Sequence, residues 1–146
     1  MNVGFKTFLV LMMVTTVFAL SSCLPRTVVT AELPENSRWK LVSLDMNGTK
    51  TPALDGTEVT LSFQTSGQVG GNSGCNSFGG SYRVEGTKIQ FGEIMSTLMA
   101  CADPKVMDQE QAYLAALQKI SSYELSGDQL TLLNGDQPLL TFTRMP

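Results

Sequence analysis

Gly70-Gly71-Asn72-Ser73-Gly74-Cys75-Asn76-Ser77-Phe78-Gly79-Gly80-Ser81-Tyr82 and, further along, Ser96-Thr97-Leu98-Met99-Ala100-Cys101 are the stretches on which the fold of this chain turns. Gly70, Gly71, Gly74, Gly79 and Gly80 crowd the first of them. A run of glycines can form a nest of backbone N–H groups for phosphate. Here no Gly-Lys-Ser/Thr follows and no helix starts there, so a phosphate-binding P-loop is excluded; the GxGxxG spacing of a dinucleotide site is missing as well. The glycines are therefore read as bulges, positive φ angles or backbones passing close together within strands. Asn72 and Asn76 suit left-handed turn positions, and Phe78 and Tyr82 supply the bulk that the glycines do not. Cys75 in the first stretch and Cys101 in the second read as two halves of one staple across a β-rich domain.

Around this centre the pattern is of short strands. Trp39 and Leu41 alternate with Lys40, which predicts a strand over Trp39–Leu44. Asn47-Gly48 predicts a turn, and Thr49 to Thr57, with Pro52 and Gly56, reads as loop. In Glu58–Gln64, Val59, Leu61 and Phe63 point one way and Thr60, Ser62 and Gln64 the other. Tyr82 with Val84, a turn at Glu85-Gly86-Thr87, then Ile89 with Phe91 make a hairpin. Near the C-terminus Tyr123 and Leu125, Leu130 and Leu132, and Leu140 and Phe142 each alternate with polar residues. The turns between them are Gly127-Asp128 and Asn134-Gly135-Asp136, which predicts an antiparallel meander.

One helix is predicted. Asp103 is placed to cap it and Pro104 to open it, and it runs to about Lys119 or Ile120. Val106, Tyr113, Leu114, Leu117 and Ile120 form its packing stripe, with Glu110 crossing the stripe and Asp108, Gln109, Gln111 and Gln118 facing out. Glu110 is read as a rim residue that reaches solvent. The fold class is thus α+β: an antiparallel, curled, partly barrel-like sheet with one helix packed against it.

The N-terminus has a different character. Lys6 precedes an apolar run from Phe8 to Leu20, too short for a comfortable membrane span and placed like the core of a secretory signal. Leu20-Ser21-Ser22-Cys23 follows, and it resembles the lipobox of bacterial lipoproteins. The resemblance implies cleavage after residue 22 and lipid chains, palmitate included, on Cys23. Several acyl chains hold stably, at about 0.8 kcal/mol per buried CH₂. Leu24 and Pro25 are not the aspartate that retains such proteins at the inner membrane of enteric-type bacteria, so the expected address is the periplasmic face of the outer membrane. Residues 1–22 are then the signal peptide, 23–37 a lipidated tether and 38–146 the domain. With Cys23 lipidated, Cys75 and Cys101 remain as an even pair, and in an oxidising periplasm they are expected to bridge.

Gly74-Cys75-Asn76-Ser77-Phe78-Gly79-Gly80-Ser81-Tyr82, followed by Thr97-Leu98-Met99-Ala100-Cys101, is similar to the META domain family (HslJ-like). The shared pattern is G-C-N-x-F-x-G-x-Y, then T-x-M-A-C, then a helix and closing strands. It marks Gly74, Asn76, Phe78, Gly80, Tyr82, Thr97 and Met99 as structural motif residues. The resemblance implies a compact α+β domain, envelope association and a role in stress response, and it implies no catalytic site.

Composition narrows the chemistry. The chain has no histidine, which removes the usual general base, the commonest metal ligand and any Ser/His/Asp set. Its basic residues are scattered and its net charge is −3, so nucleic-acid binding is not expected. Met95, Met99 and Cys101 offer soft atoms of the kind Cu(I) takes. Methionine at such spacing is more often core filler, and copper is set aside. The 13 carboxylates are dispersed and no pair is marked by a local motif; a hydrolase using carboxylates such as Glu93 or Glu110 is the weakest reading. No cofactor, no metal and no catalytic residue are expected. The expected partners are the membrane, through Cys23, and an envelope protein or an apolar ligand, with the chain a monomer. A pilotin-like escort of an outer-membrane protein is the alternative.

Overall fold

The computed structural model describes residues 32–146. The expected signal peptide (1–22), Cys23 and most of the expected tether lie outside the described residues. Ten strands and one helix follow in order: β1 (Ser37–Met46), β2 (Thr49–Pro52), β3 (Thr60–Phe63), β4 (Gln68–Asn72), β5 (Ser77–Glu85), β6 (Lys88–Phe91), β7 (Met95–Ser96), α1 (Pro104–Leu117), β8 (Ser122–Ser126), β9 (Gln129–Asn134) and β10 (Gln137–Arg144).

Every pairing is antiparallel. The order β1-β3-β4-β5-β6-β8-β9-β10 returns to β1, because β10 pairs β1 through Trp39↔Arg144, Leu41↔Phe142 and Leu44↔Leu140. Eight strands therefore close into a barrel, where the sequence pattern suggested a partly closed sheet. Closure removes the free edges that an open sheet would present. β2 and β7 stand outside the ring, on β1 and β5. The Thr49–Pro52 stretch, expected as loop, is the strand β2, held to Ser43–Met46 through the Asn47-Gly48 turn. The ring is thinnest between β6 and β8, which share one register pair, Lys88↔Ser122.

Period-two patterning fills the interior. Trp39, Leu61, Phe63, Ile89, Leu130, Leu132, Leu140 and Phe142 are fully buried. Val42 follows the alternation outward and is half exposed, and the register shifts between Leu41 and Ser43, after which Ser43 and Leu44 are both buried. Capped by Asp103, whose carboxylate accepts the Lys105 N–H at 2.9 Å, α1 lies across one mouth of the barrel. Its Tyr113 meets Phe78 of β5 and Phe142 of β10 edge-on, at 5.7 and 6.3 Å. β5 and β10 are on opposite sides of the ring, so this one side chain spans the opening. Its hydroxyl donates to the Thr60 carbonyl at 3.3 Å, and burial pushes it well above the ordinary tyrosine range.

The chain enters at the other mouth. Leu33 is buried in the core, and its N–H donates to the Tyr123 hydroxyl, which in turn donates to the carbonyl of Gly86 in the β5–β6 turn. Trp39 donates its indole N–H to Ser37 Oγ at 2.8 Å, and Arg144 lies over the Trp39 ring at 5.0 Å. Within residues 33–37, read from sequence as the end of a tether, Leu33 and Ser37 are buried against the barrel, whereas Glu35 and Asn36 are exposed. No helix of the described residues is long and apolar enough to cross a membrane.

Candidate functional site

The two quoted stretches meet at the mouth that α1 covers. Residues 73–76 turn β4 into β5, and the turn is built around Gly74 at φ +116°. The expectation that Asn72 and Asn76 supply left-handed backbone is not met. They act instead through their side chains. Asn72 Oδ1 accepts the Gly74 N–H at 2.8 Å, and Asn76 becomes the hub of the corner.

Both amide atoms of Asn76 are used. Oδ1 accepts from Thr97 Oγ1 at 2.7 Å and from the Met99 N–H at 2.8 Å. Nδ2 donates to Glu110 Oε1 at 2.6 Å and to the Met99 carbonyl at 3.2 Å. That is the full capacity of a primary amide, and Asn76 is 3% exposed. The Cys75–Cys101 disulfide, with Cα atoms 5.9 Å apart, closes the same corner covalently. Side-chain amide, ladder and sulfur bridge together fix the 97–101 segment on β5.

From the helix side Glu110 completes it. Its Oε2 accepts the Asn76 N–H at 2.8 Å, the Ser73 hydroxyl at 2.6 Å and the Cys75 N–H at 3.4 Å. Burial alone would raise this carboxyl's pKa; the hydrogen bonds from Ser73, Asn76 and Cys75 outweigh it and hold the pKa below the ordinary value. Glu110 is therefore not the solvent-reaching rim residue expected from the helix pattern: it is buried, with one donor on Oε1 and three on Oε2. Gln109, expected to face out, is 1% exposed. It accepts the Leu54 N–H at 2.7 Å and donates to Thr57 Oγ1 at 3.2 Å, tying α1 to the β2–β3 connection.

The remaining motif residues are packing devices. Phe78 is the wall against Tyr113. A Cβ on Gly80 would stand 2.6 Å from the Glu93 carbonyl and 2.7 Å from Ile94 Cδ1, so only glycine lets the 92–94 segment lie over β5. Tyr82 stands edge-on to Phe63 at 4.9 Å. Thr97 also accepts the Ser77 N–H through its hydroxyl. Met99 serves through its backbone. Its side chain is 59% exposed and that of Met95 is 70% exposed, so the expectation that these methionines fill core is overturned. Cys101 is spent in the disulfide, which leaves the imagined copper set without its thiolate. Glu93 is exposed on the connection between β6 and β7, whereas both Glu110 oxygens are taken up by the 73–76 turn.

The larger cavities are open grooves on the outside. One of 670 Å³ lies between α1 and the β1–β2 and β9–β10 turns. Another, of 630 Å³, follows the thin β6–β8 seam beside Arg83, Lys88 and Asp136. A small apolar recess of 170 Å³ sits between β2 and the start of α1, against Met46, Pro52 and Leu54.

A closed eight-stranded barrel, plugged by one helix and locked at a Cys-Asn corner, is the class that fold and site define. Residues 31–146 match the family model described as META domain, and the chain belongs to that family. It is similar to a protein from Burkholderia xenovorans whose structure was solved by NMR: 31% identity over 76% of this chain and 83% of that one, TM-score 0.65. A second NMR structure shares 25% identity over 75% and 89% of the two chains, with TM-score 0.58. A crystal structure of a DUF4847 family protein from Bacteroides vulgatus, 14% identical over 74% of this chain and 92% of that one at TM-score 0.50, shares the fold. None of the curated proteins matches the chain.

Proposed function

We propose that this chain is a non-enzymatic, lipid-anchored envelope protein, a binding or stress-tolerance module carried on a META domain. The observation that carries the non-enzymatic part is the saturation of the corner. Glu110, Asn76, Ser73 and Thr97 spend their polar atoms on one another and on backbone, and the thiols of Cys75 and Cys101 are joined. A general acid or base must reach the proton it moves, and the polar atoms of this corner are turned on one another. The anchor rests on the apolar run ending in Leu20-Ser21-Ser22-Cys23, and the address is the periplasmic face of the outer membrane. With the barrel interior filled, an apolar ligand would have to use the outer recess beside Met46 and Pro52, and a protein partner the outer surface.

Mass spectrometry of the N-terminal peptide from envelope membranes tests the anchor. The expected species begins at Cys23 and carries acyl chains. A chain recovered from cytosol with residues 1–22 intact overturns the reading. The Cys23→Ser form, released to the periplasm, is expected to fail to complement a deletion strain challenged with heat or hydrophobic antibiotics.

A further inference from the structure

The segment Ile94–Ala102 is the part of the described surface least suited to water. It contains no charged residue, and Glu93 and Asp103 bound it at its two ends. Leu98 is 97% exposed, Met95 70% and Met99 59%, and with Val42 they are the large apolar side chains that the described domain exposes. Exposed apolar side chains on a flexible loop could fold back onto the protein. These cannot, because Asn76, β5 and the disulfide fix the backbone beneath them.

Part of the segment's backbone is bonded within the protein. Thr97 N–H donates to the Ser77 carbonyl at 3.0 Å, and the Thr97 carbonyl accepts from the Ser96 hydroxyl at 3.0 Å. Met99 N–H and carbonyl are both taken by Asn76, and Met95 lies in the ladder with Gly79. Backbone groups that enter hydrocarbon must be satisfied within the protein, and a charge there is costly. The tip carries no charge, and its backbone is satisfied from within at Thr97 and Met99; the Leu98 N–H and carbonyl between them have no protein partner and stay at headgroup level while the thioether and isobutyl groups point outward.

Reach brings the bilayer that holds the anchor within range of the tip. The tip sits at the Ser77 end of β5, and the chain enters beside the Glu85 end, through Leu33 and Tyr123. β5 separates the two by roughly 26 Å at ~3.3 Å per residue. Between Cys23 and Leu33 the chain spans at most about 34 Å when extended. A domain held at Cys23 can therefore lie down with its tip on the bilayer that holds it. We propose that Met95, Leu98 and Met99 form a second membrane contact, dipping into the acyl region of the lipid leaflet that carries the anchor. The inference rests on the lipid-anchor reading above, and it turns a tethered domain into one of fixed orientation.

Leu98→Trp provides the probe. Trp39 is the single natural tryptophan and is fully buried, so new emission reports the tip. The protein as extracted from envelope membranes is reconstituted into phosphatidylethanolamine–phosphatidylglycerol vesicles, with and without brominated acyl chains, and floated on a density gradient. The expected result is flotation, a blue shift of the added emission and its loss in the brominated vesicles, with Trp39 emission unchanged in the parent protein. Flotation with emission left at its water-exposed position overturns the tip and leaves the anchor standing. A chain that does not float overturns the anchor and this inference with it. A shift that follows protein density and ignores bromine puts a second copy of the chain on the tip and also overturns it.

Discussion

The Glu110 carboxylate takes both the backbone N–H and the side-chain amide of Asn76, at 2.8 and 2.6 Å, across a gap of 34 residues in the chain. One bidentate contact thereby joins the only helix of the described domain to the turn that carries the disulfide. Substituting Glu110 removes the acceptor for the Asn76 N–H and for one side-chain N–H of Asn76, while the Ser73 hydroxyl can still donate to the Asn76 carbonyl at 2.8 Å. Glu110→Ala should cost about 3 kcal/mol, and Glu110→Gln less, because it keeps one carbonyl acceptor. Urea unfolding of the two variants checks this; a loss of under ~0.5 kcal/mol for the alanine variant, typical of plain surface substitutions, would show that the contact is dispensable.

The same carboxylate sets an acid limit. Its folded pKa is lowered by hydrogen bonds, so its contribution is complete above the unfolded glutamate value, near ~4.3, and is lost as pH falls through the folded value. Stability measured downward from neutral pH should fall below that point, and Glu110→Gln should flatten this part of the curve. A glutamine variant with an unchanged acid slope would place the proton uptake elsewhere.

Removing the sulfur bridge should weaken the domain without dismantling the corner. The cysteines are 26 residues apart in sequence, and a loop of that size corresponds to about 3.5 kcal/mol in the chain-entropy account. Asn76 still holds Thr97 and Met99, so the Cys75→Ser, Cys101→Ser double variant should fold and keep its near-ultraviolet dichroism while melting lower. Collapse of the tertiary signal would mean that the amide hub cannot hold the segment alone.

Gly80→Ala should cost roughly 3 kcal/mol by overpacking, since the added carbon meets the Glu93 carbonyl and Ile94 at under 3 Å. Gly71→Ala, whose carbon would run into the Thr60 carbonyl, should be at least as damaging. Thermal melts of both compare them with the parent; a neutral Gly80→Ala would show that the 92–94 segment shifts freely.

Much of this architecture is legible along the chain, because half-buried strands must alternate: Val59, Leu61 and Phe63, or Leu130 and Leu132, declare their faces. The helix declares its start, since Asp103-Pro104 is a local chemical device. Closure of the barrel is not legible, because it depends on the long-range pairing of Trp39–Leu44 with Leu140–Arg144, which leaves no local mark. Thr49–Pro52 was obscured by Pro52, a residue tolerated on an outer strand such as β2. At the corner, the cysteine count points to the bridge, and two of the readings open for the glycines hold at different positions: close approach at Gly71 and Gly80, positive φ at Gly74. The roles of Glu110 and Gln109 were missed. A carboxylate crossing an apolar helical stripe was itself a signal, since a buried charge needs donors, and the N–H groups of a tight turn are the donors at hand.

The path by which the chain enters the barrel has a mechanical consequence. β1 begins at Ser37 and is clasped on both flanks, by β3 along Ser37–Lys40 and by β10 from Trp39 to Leu44. Tension arriving through the residues ahead of it runs along the strand axis and loads two ladders of hydrogen bonds together, in shear, instead of peeling them one by one. The Leu33 and Trp39 side chains are the pegs that such a pull must draw out of the core first.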